Sequence, residues 1–314
     1  MEESPLVSIV IVTYNSADEI IGCLDSIFDN SVAVVVYVVD NASSDNTKLL
    51  LQQYAQKESR LKLILNDDNK GLAAANNQPL PFIESKYTLI LNPDILLRND
   101  SLSLMLEGIE ADKTIGMLGP LSLFEDGEEH VSSNASYGLF TIVAWRLVPH
   151  TVMRFFFDRY SDFKTTRDVA FVSGACYLIP TKLFKELNGY DPAYFLTISD
   201  VADIGVRIRK RGYRAVYYPK AVITHFSGRS NAPLKYLTQY WGLTGDLYFI
   251  KKHMGSIRFA FAKTLFVIGS AIRGCVFLVI AGLTQKETYK AKVKLYFDLA
   301  KSVKSFTPVV RKGD

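Results

Sequence analysis

From Val7 the chain reads VSIVIVT, a near-continuous apolar run rich in β-branched side chains, the pattern of a strand covered on both faces in a parallel sheet. A helix follows. Ser16 and Glu19 have capping-box spacing, and Ile20, Ile21, Leu24, Ile27 and Phe28 recur at helical intervals. The alternation repeats with a strand at 34–39, a helix near 47–56, a strand at 61–65, a helix from about Leu72 and a strand at 87–91. Repeated βα units predict a Rossmann-like, doubly wound α/β sheet, in which ligands bind beyond the carboxyl ends of the strands.

Beyond Glu125 the pattern decays into aromatic and basic residues, including Trp145, Arg146, Phe155 to Phe157, Arg159 and Tyr160, so 125–168 reads as an insertion or lid. Order returns with a strand pair at 169–180, a helix at 182–187 stopped by Asn188-Gly189, a loop and helix over 191–213, and strands at 215–218 and 221–223. Residues 1–230 are expected to form one α/β domain and 231–314 a basic helical C-terminal region.

Composition sharpens this picture in three places. A hydrophobic content of 48% excludes a disordered chain. Cys23, Cys176 and Cys275 are widely spaced inside apolar runs, which points to a reducing compartment rather than a disulfide framework, and the acidic Met1–Pro5 segment has no signal-peptide pattern. From Lys251 onward thirteen Lys or Arg face only Glu287, Asp298 and Asp314, a net +10 that leaves −6 on the rest of a +4 chain.

Polar side chains collect just after the strands. Thr13, Tyr14 and Asn15 close the first, Asp40 and Asn41 the second, Asn66 to Gly71 follow the third, and Asn92, Pro93 and Asp94 the fourth, all on one rim. Pro93 holds Asn92 extended and projects the Asp94 carboxylate at a defined angle, suited to a hard cation such as Mg²⁺ or Mn²⁺ that shares its ligands with phosphate. Asn-Pro-Asp is equally the composition of a plain turn. Asp40 can accept from a ribose or base, or cap the next helix, and Tyr14 can stack on a base or serve as a buried structural tyrosine. Lys70 and Gly71, before a small-residue helix carrying Asn76, can face phosphate, although many loops look alike.

Together these segments resemble the family 2 glycosyltransferases of GT-A fold, in the subgroup of bacterial rhamnosyltransferases. The likeness rests on VSIVIVTYNS (7–16), VVDNASSDNT (38–47), NKGLAAANN (69–77), LILNPDILL (89–97), FVSGACYLIP (171–180) and LNGYDPAYF (187–195). The resemblance implies a nucleotide-sugar site with Tyr14 and Asp40 at the base and Asp94 as the surviving carboxylate of the DxD-type metal motif. It also implies inversion at the anomeric carbon, with an aspartate of a Glu-Asp pair as general base. Here the segment reads Ile198-Ser199-Asp200-Val201-Ala202-Asp203, and two registers compete. Asp200 is the carboxylate in both, so it is assigned as base, with Asp203 as a companion able to pair Arg207 at i+4. His225 stands where the family often has a histidine near metal or diphosphate, and Arg229 can grip a diphosphate bidentately. As a lone histidine and a loop arginine, both are equally ordinary structural residues. Gln239-Tyr240-Trp241 lacks the spacing and the arginine of the processive Gln-x-x-Arg-Trp motif, which favours addition of a single sugar.

The implied substrates are a nucleoside-diphosphate sugar, with L-rhamnose from dTDP-rhamnose favoured, and a lipid-linked saccharide in cell-surface polysaccharide synthesis. Residues 264–283 have the length of a membrane span but contain Arg273, so an interfacial, membrane-associating helix flanked by lysines competes with a span and with a buried or oligomer-forming helix. A peripheral enzyme on the cytoplasmic face of the plasma membrane is expected. The charges surround an apolar helix with few interleaved aromatics and no recognised nucleic-acid module, so nucleic acid is not an expected partner. The altered 199–203 segment also leaves a catalytically silent nucleotide-sugar binder as an alternative.

Overall fold

In the computed structural model, which describes residues 5–98, 100–148, 152, 163–226 and 235–309, the predicted alternation is present. β1 (Val7–Thr13), α1 (Ile20–Phe28), β2 (Val34–Asp40), α2 (Thr47–Ala55), β3 (Leu61–Leu65), α3 (Leu72–Asn77) and β4 (Tyr87–Leu91) follow one another. The chain continues with β5 (Ile95–Leu97), α4 (Ser101–Ala111), β6 (Ile115–Leu123), β7 (Glu129–His130) and β8 (Ser133–Asn134). After α5 (Leu139–Leu147) come β9 (Arg167–Val169), β10 (Phe171–Val172), β11 (Cys176–Pro180), α6 (Thr181–Glu186), α7 (Ser199–Lys210) and β12 (Arg214–His225). Three helices close the chain, α8 (Lys235–Met254), α9 (Ser256–Thr284) and α10 (Glu287–Ser305).

The sheet runs β3-β2-β1-β4-β11-β6-β12-β5. The first four strands are parallel, β11 enters antiparallel between β4 and β6, β12 lies parallel to β6, and β5 is antiparallel at the edge. This is the doubly wound mixed sheet of the GT-A fold. Every residue of β1 is buried, as a strand covered on both faces must be, and Val7, Ile9 and Ile11 pack with Ile20, Cys23, Leu24 and Ile27 of α1 in one apolar cluster. α1 is entered differently from the capping-box expectation. The Ser16 carbonyl accepts from the Glu19 and Ile20 N–H groups, Ser16 gives its own N–H to Thr47 Oγ1, and no side-chain cap bond closes the helix.

Two expectations are corrected. The strand pair read over 169–180 is three short strands with separate partners: β9 pairs β12, β10 pairs β8, and β11 joins β4 and β6. The two strands read at 215–218 and 221–223 are one strand, β12, whose register on β6 shifts between Tyr218 and Val222. Pro219 lies in that interval and has no N–H to give the ladder.

The chain divides into two compact units, Met1–Ser136 with Ser161–Ser230, and Tyr137–Tyr160 with Asn231–Asp314. The first holds the sheet. The second contains α5, α8, α9 and α10, and there Arg146 of α5 pairs with Asp246 of α8, Nε to Oδ2 at 2.5 Å.

Candidate active site

Asp40 ends β2 with 1% of its surface exposed, yet its carboxylate is well solvated by the protein. Thr13 Oγ1 donates to its Oδ1 at 3.1 Å, Ser43 Oγ to Oδ1 at 2.6 Å and the Ser43 N–H to Oδ2 at 3.1 Å. Ser43 Oγ in turn accepts the N–H of Asn15, whose φ of 53° turns the chain sharply after β1, and Asn15 Oδ1 accepts the Ser44 N–H at 2.8 Å. The ends of β1 and β2 are thus sewn into one rigid floor, with Tyr14 half-buried between them. Asn41 extends the floor toward β3, because its Oδ1 accepts from Asn66 Nδ2 and the Lys70 N–H, both at 3.0 Å.

The Lys70–Gly71 turn is fixed from above. Gly71 has φ of 82°, the Leu72 N–H donates to the Phe195 carbonyl at 2.7 Å, and a Cβ on Gly71 would lie 2.7 Å from the Phe195 ring. Asn77 clamps the same loop, giving its Nδ2 to the Tyr190 carbonyl and accepting the Tyr190 N–H, each at 2.8 Å. Two of the predicted donor ligands are occupied by the protein itself. Lys70 Nζ pairs with Asp68 Oδ1 at 2.7 Å on the surface, and buried Asn76 turns its Nδ2 to the Leu72 carbonyl of its own helix.

At the end of β4, the Asn92 N–H donates to the Ala175 carbonyl at 2.8 Å, which seats the Asn-Pro-Asp turn against the start of β11. Asp94 is 8% exposed. Its Oδ1 is buried without a hydrogen-bond partner among the described residues, and its Oδ2 lies 3.4 Å from His225 Nε2. A buried carboxylate oxygen with nothing to accept from is costly unless a cation or ligand completes it. No group of three His, Cys, Asp or Glu able to hold a cation occurs among the described residues. The Asp94–His225 pair therefore fits an ion that takes most of its ligands from phosphate and water, as Mg²⁺ does. The His225 ring lies 5.3 Å from that of His130, centroid to centroid, and His130 packs on Phe124.

Asp200 opens α7 and is 4% exposed. Burial pushes its carboxyl up to about 7, the Asp203 charge adds to the rise, and the Val201 N–H, 2.5 Å from Oδ1, partly opposes it. Asp203 is fully buried and holds Arg207 Nε at 2.6 Å, while the Arg207 guanidinium also donates to the Leu187 and Gly189 carbonyls. That pair anchors α7 to the 187–195 loop. A Cβ on Gly174 would sit 3.7 Å from Val201, so the start of α7 stands beside the residues that lead into β11. Asp200 and the Asp94 turn thereby flank the same strand end. Behind Asp200, Tyr177 Oη donates to Tyr190 Oη at 2.6 Å, and both phenols are held far above their ordinary range, by burial first and by the Asp200 charge among the lesser causes.

The structure thus gathers Thr13, Tyr14, Asn15, Asp40, Asn41, Gly71, Asn92, Asp94, Asp200 and His225 at the carboxyl rim, and Arg229 lies outside the described residues. Ser43, Asn77, His130 and Phe195 are additions. Ser43, Asn77 and Phe195 sit inside the quoted motifs, whereas no local pattern marks His130.

Sheet order and rim together define a glycosyltransferase of GT-A fold. More narrowly, the chain belongs to Glycosyl transferase family 2, whose family model matches residues 8–187. It is 26% identical over 271 residues to the N-acetylglucosaminyl-diphospho-decaprenol L-rhamnosyltransferase of Mycobacterium tuberculosis (strain ATCC 25618 / H37Rv), covering 79% of this chain and 85% of that one. Rhamnosyltransferase WbbL of Escherichia coli (strain K12) is 26% identical over 235 residues, 72% of this chain and 85% of its own. Among solved structures, the mannosyltransferase PcManGT from Pyrobaculum calidifontis, in complex with GDP-Man and Mn²⁺, superposes with a TM-score of 0.57 at 17% identity, covering 96% of this chain and 87% of that one.

Proposed function

We propose that the protein is an inverting, non-processive hexosyltransferase that moves L-rhamnose from dTDP-rhamnose to a lipid-linked saccharide, at the cytoplasmic face of the membrane, in surface polysaccharide synthesis. The observation that carries this reading is Asp200, a buried carboxylate beside the β4–β11 strand ends whose proton affinity is raised to about 7. A general base works best when its pKa lies near the working pH, because it is then both ionised and basic enough to take a proton. The two rhamnosyltransferase relatives motivate the donor sugar, and the lipid-linked name of one motivates the acceptor.

In this reaction the Asp200 carboxylate accepts the acceptor hydroxyl proton as the oxygen bonds to the anomeric carbon. The bond from that carbon to the diphosphate oxygen breaks on the opposite face, and the nucleoside diphosphate departs with the electron pair. One displacement inverts the centre and needs no protein nucleophile, which accords with Asp203 being tied to Arg207. Thr13, Tyr14, Asn15, Asp40 and Asn41 would form the nucleoside floor, with Gly71 and Asn92 toward the phosphates. Asp94 and His225 would hold a Mg²⁺ or Mn²⁺ ion, which when bound neutralises charge developing on the leaving diphosphate.

The test is a panel of nucleotide sugars assayed for hydrolysis and for transfer to a lipid-linked acceptor, with Mg²⁺ or Mn²⁺ and then with EDTA, for wild type and Asp200→Asn. Consumption of dTDP-rhamnose only with metal, and a loss of about 10²–10⁴ in kcat for the variant with donor binding retained, is expected. A second reading, a catalytically silent nucleotide-sugar binder, is motivated by Ser199 in place of the family's glutamate. It takes over if donor binds but no sugar in the panel is consumed.

A further inference from the structure

We infer that α9 lies flat in the surface of an anionic bilayer, its outward stripe among the acyl chains, rather than crossing the membrane. This deepens the reading that transfer occurs at a membrane surface. α9 is 29 residues long, about 44 Å, and its most apolar stretch is only 22% buried. Ile257, Phe261, Ile268, Ile272, Val276 and Leu283 are exposed large hydrophobics at successive spacings of four or seven residues, one continuous outward stripe. Ala262, Phe266, Ser270, Gly274 and Ala281 form the opposite, buried face.

Arg273, which argued against a span, does not interrupt this stripe. Arg273 turns inward, where one terminal nitrogen donates to the Leu147 carbonyl at 3.0 Å and its guanidinium lies 5.8 Å from the centre of the Tyr296 ring. Cations instead mark the two ends, with exposed Arg258 beside Ile257 and exposed Lys286 just past Leu283.

Packing within the C-terminal unit decides between crossing and lying flat. Lys263 Nζ donates to the Phe306 carbonyl at 2.7 Å, Lys292 lies over the Phe277 ring, and a Cβ on Gly274 would sit 3.0 Å from the Phe297 ring. α10 therefore accompanies α9 along its length. α10 carries exposed Lys290, Lys294, Asp298, Lys301 and Lys304, which an upright α9 would drag into hydrocarbon at high cost. Lying flat, α9 buries its stripe at the headgroup boundary while α10 keeps its charges in water. Charge selects the lipid over a second copy of the chain. The region from Lys251 carries a net +10, which repels its own copy and is drawn to anionic headgroups.

The test uses the full chain with vesicles of phosphatidylcholine alone or containing phosphatidylglycerol. Cys23 and Cys176 are buried and Cys275 is exposed, so a depth-sensitive fluorophore can be placed on Cys275 or, in a Cys275→Ser background, on Phe261→Cys and Leu283→Cys. Binding that requires phosphatidylglycerol, with all three labels at one shallow depth, is expected. A label at 275 near the bilayer centre with 261 and 283 near opposite surfaces overturns the flat orientation, and equal binding to both vesicles overturns the anionic preference. Ile268→Glu with Val276→Glu, both on the exposed face, should weaken vesicle binding about tenfold or more and leave dTDP-rhamnose hydrolysis in solution unchanged. Should that pair misfold, Lys286→Glu with Lys294→Glu must weaken binding to the phosphatidylglycerol vesicles. Wild type that binds neither vesicle and doubles its mass in solution refutes the membrane reading itself. Stripe variants that bind like wild type refute only the assignment to α9.

Discussion

Asp200 is where the cost of the proposed chemistry is concentrated. Its carboxyl is raised from an ordinary 3.8 to about 7 in the folded chain, so the folded state holds that proton more tightly than the unfolded state does. The stability this contributes is fully present below about pH 4 and is lost as pH rises through 7, because above 7 a buried charge must be kept. The difference amounts to at most about 4 kcal/mol at pH 8. Asp200→Asn should therefore raise the unfolding midpoint at pH 8, and raise it less at pH 5. Wild-type kcat/KM should climb with pH and level off above about 7, a limb the residual activity of the variant lacks. A variant equally stabilised at both pH values would show that the raised proton affinity is not real. Asp200 was readable as a candidate because one register of the 199–203 segment puts it on the base and the other on the neighbouring glutamate, a carboxylate position in both. Asp203 with Arg207 was legible as an i, i+4 pair. The Thr13 and Ser43 hydroxyls on Asp40 were legible only as neighbours in motifs, and His130 beside His225 was not legible, since β7 is a two-residue strand that carries no periodicity.

The strands and helices that fix the rim were the most readable elements, since a seven-residue apolar run and an amphipathic helix each announce their own period. The misreadings fell where strands are two or three residues long and take partners far away in sequence, as β9 and β10 do, or where a proline interrupts the register of one long strand. The turn before α3 illustrates how an element boundary positions chemistry. Gly71 was read as a phosphate-facing turn, but its neighbour in space, Phe195, lies 124 residues away and could not be inferred. Alanine at Gly71 meets both a left-handed backbone and the Phe195 ring, whereas Gly127 has φ of 88° with nothing within 4 Å of its would-be Cβ. Gly127→Ala should cost about 1–2 kcal/mol from backbone strain alone. Gly71→Ala should cost about 1–3 kcal/mol more through overpacking, and should lower donor turnover by displacing the 190–195 loop. Urea midpoints of the two variants, compared side by side, isolate the Phe195 contact. Equal midpoints would remove it as a determinant of the turn.

At the scale of the whole molecule, the boundary between the two units is the property that hydrophobic pattern expresses least. Residues 139–147 sit inside the segment that reads as an insertion of the α/β domain, and nothing local ties them to a helix a hundred residues on. The tie is electrostatic: Asp246 is 2% exposed, Arg146 Nε reaches its Oδ2 at 2.5 Å, and Tyr137 Oη donates to its Oδ1 at 2.7 Å. Arg146 packs over Gly242, where any larger residue would meet the guanidinium at 2.8 Å. Arg146→Met keeps the apolar stem but strips the cation from a buried carboxylate, which should destabilise the C-terminal unit by about 3 kcal/mol. That is the low end for a buried pair, because the Arg146 side chain keeps 28% of its surface in water. Pairing it with Asp246→Leu removes the stranded charge and should restore most of the loss, as replacing both members of a buried pair commonly does. Hydrogen exchange separates this from a global effect. Amides of α5 and α8 should lose protection in Arg146→Met and regain it in the double variant, while those of β1, in the other unit, stay as in wild type. Equal loss of protection in β1 would mean that the two units unfold as one cooperative body.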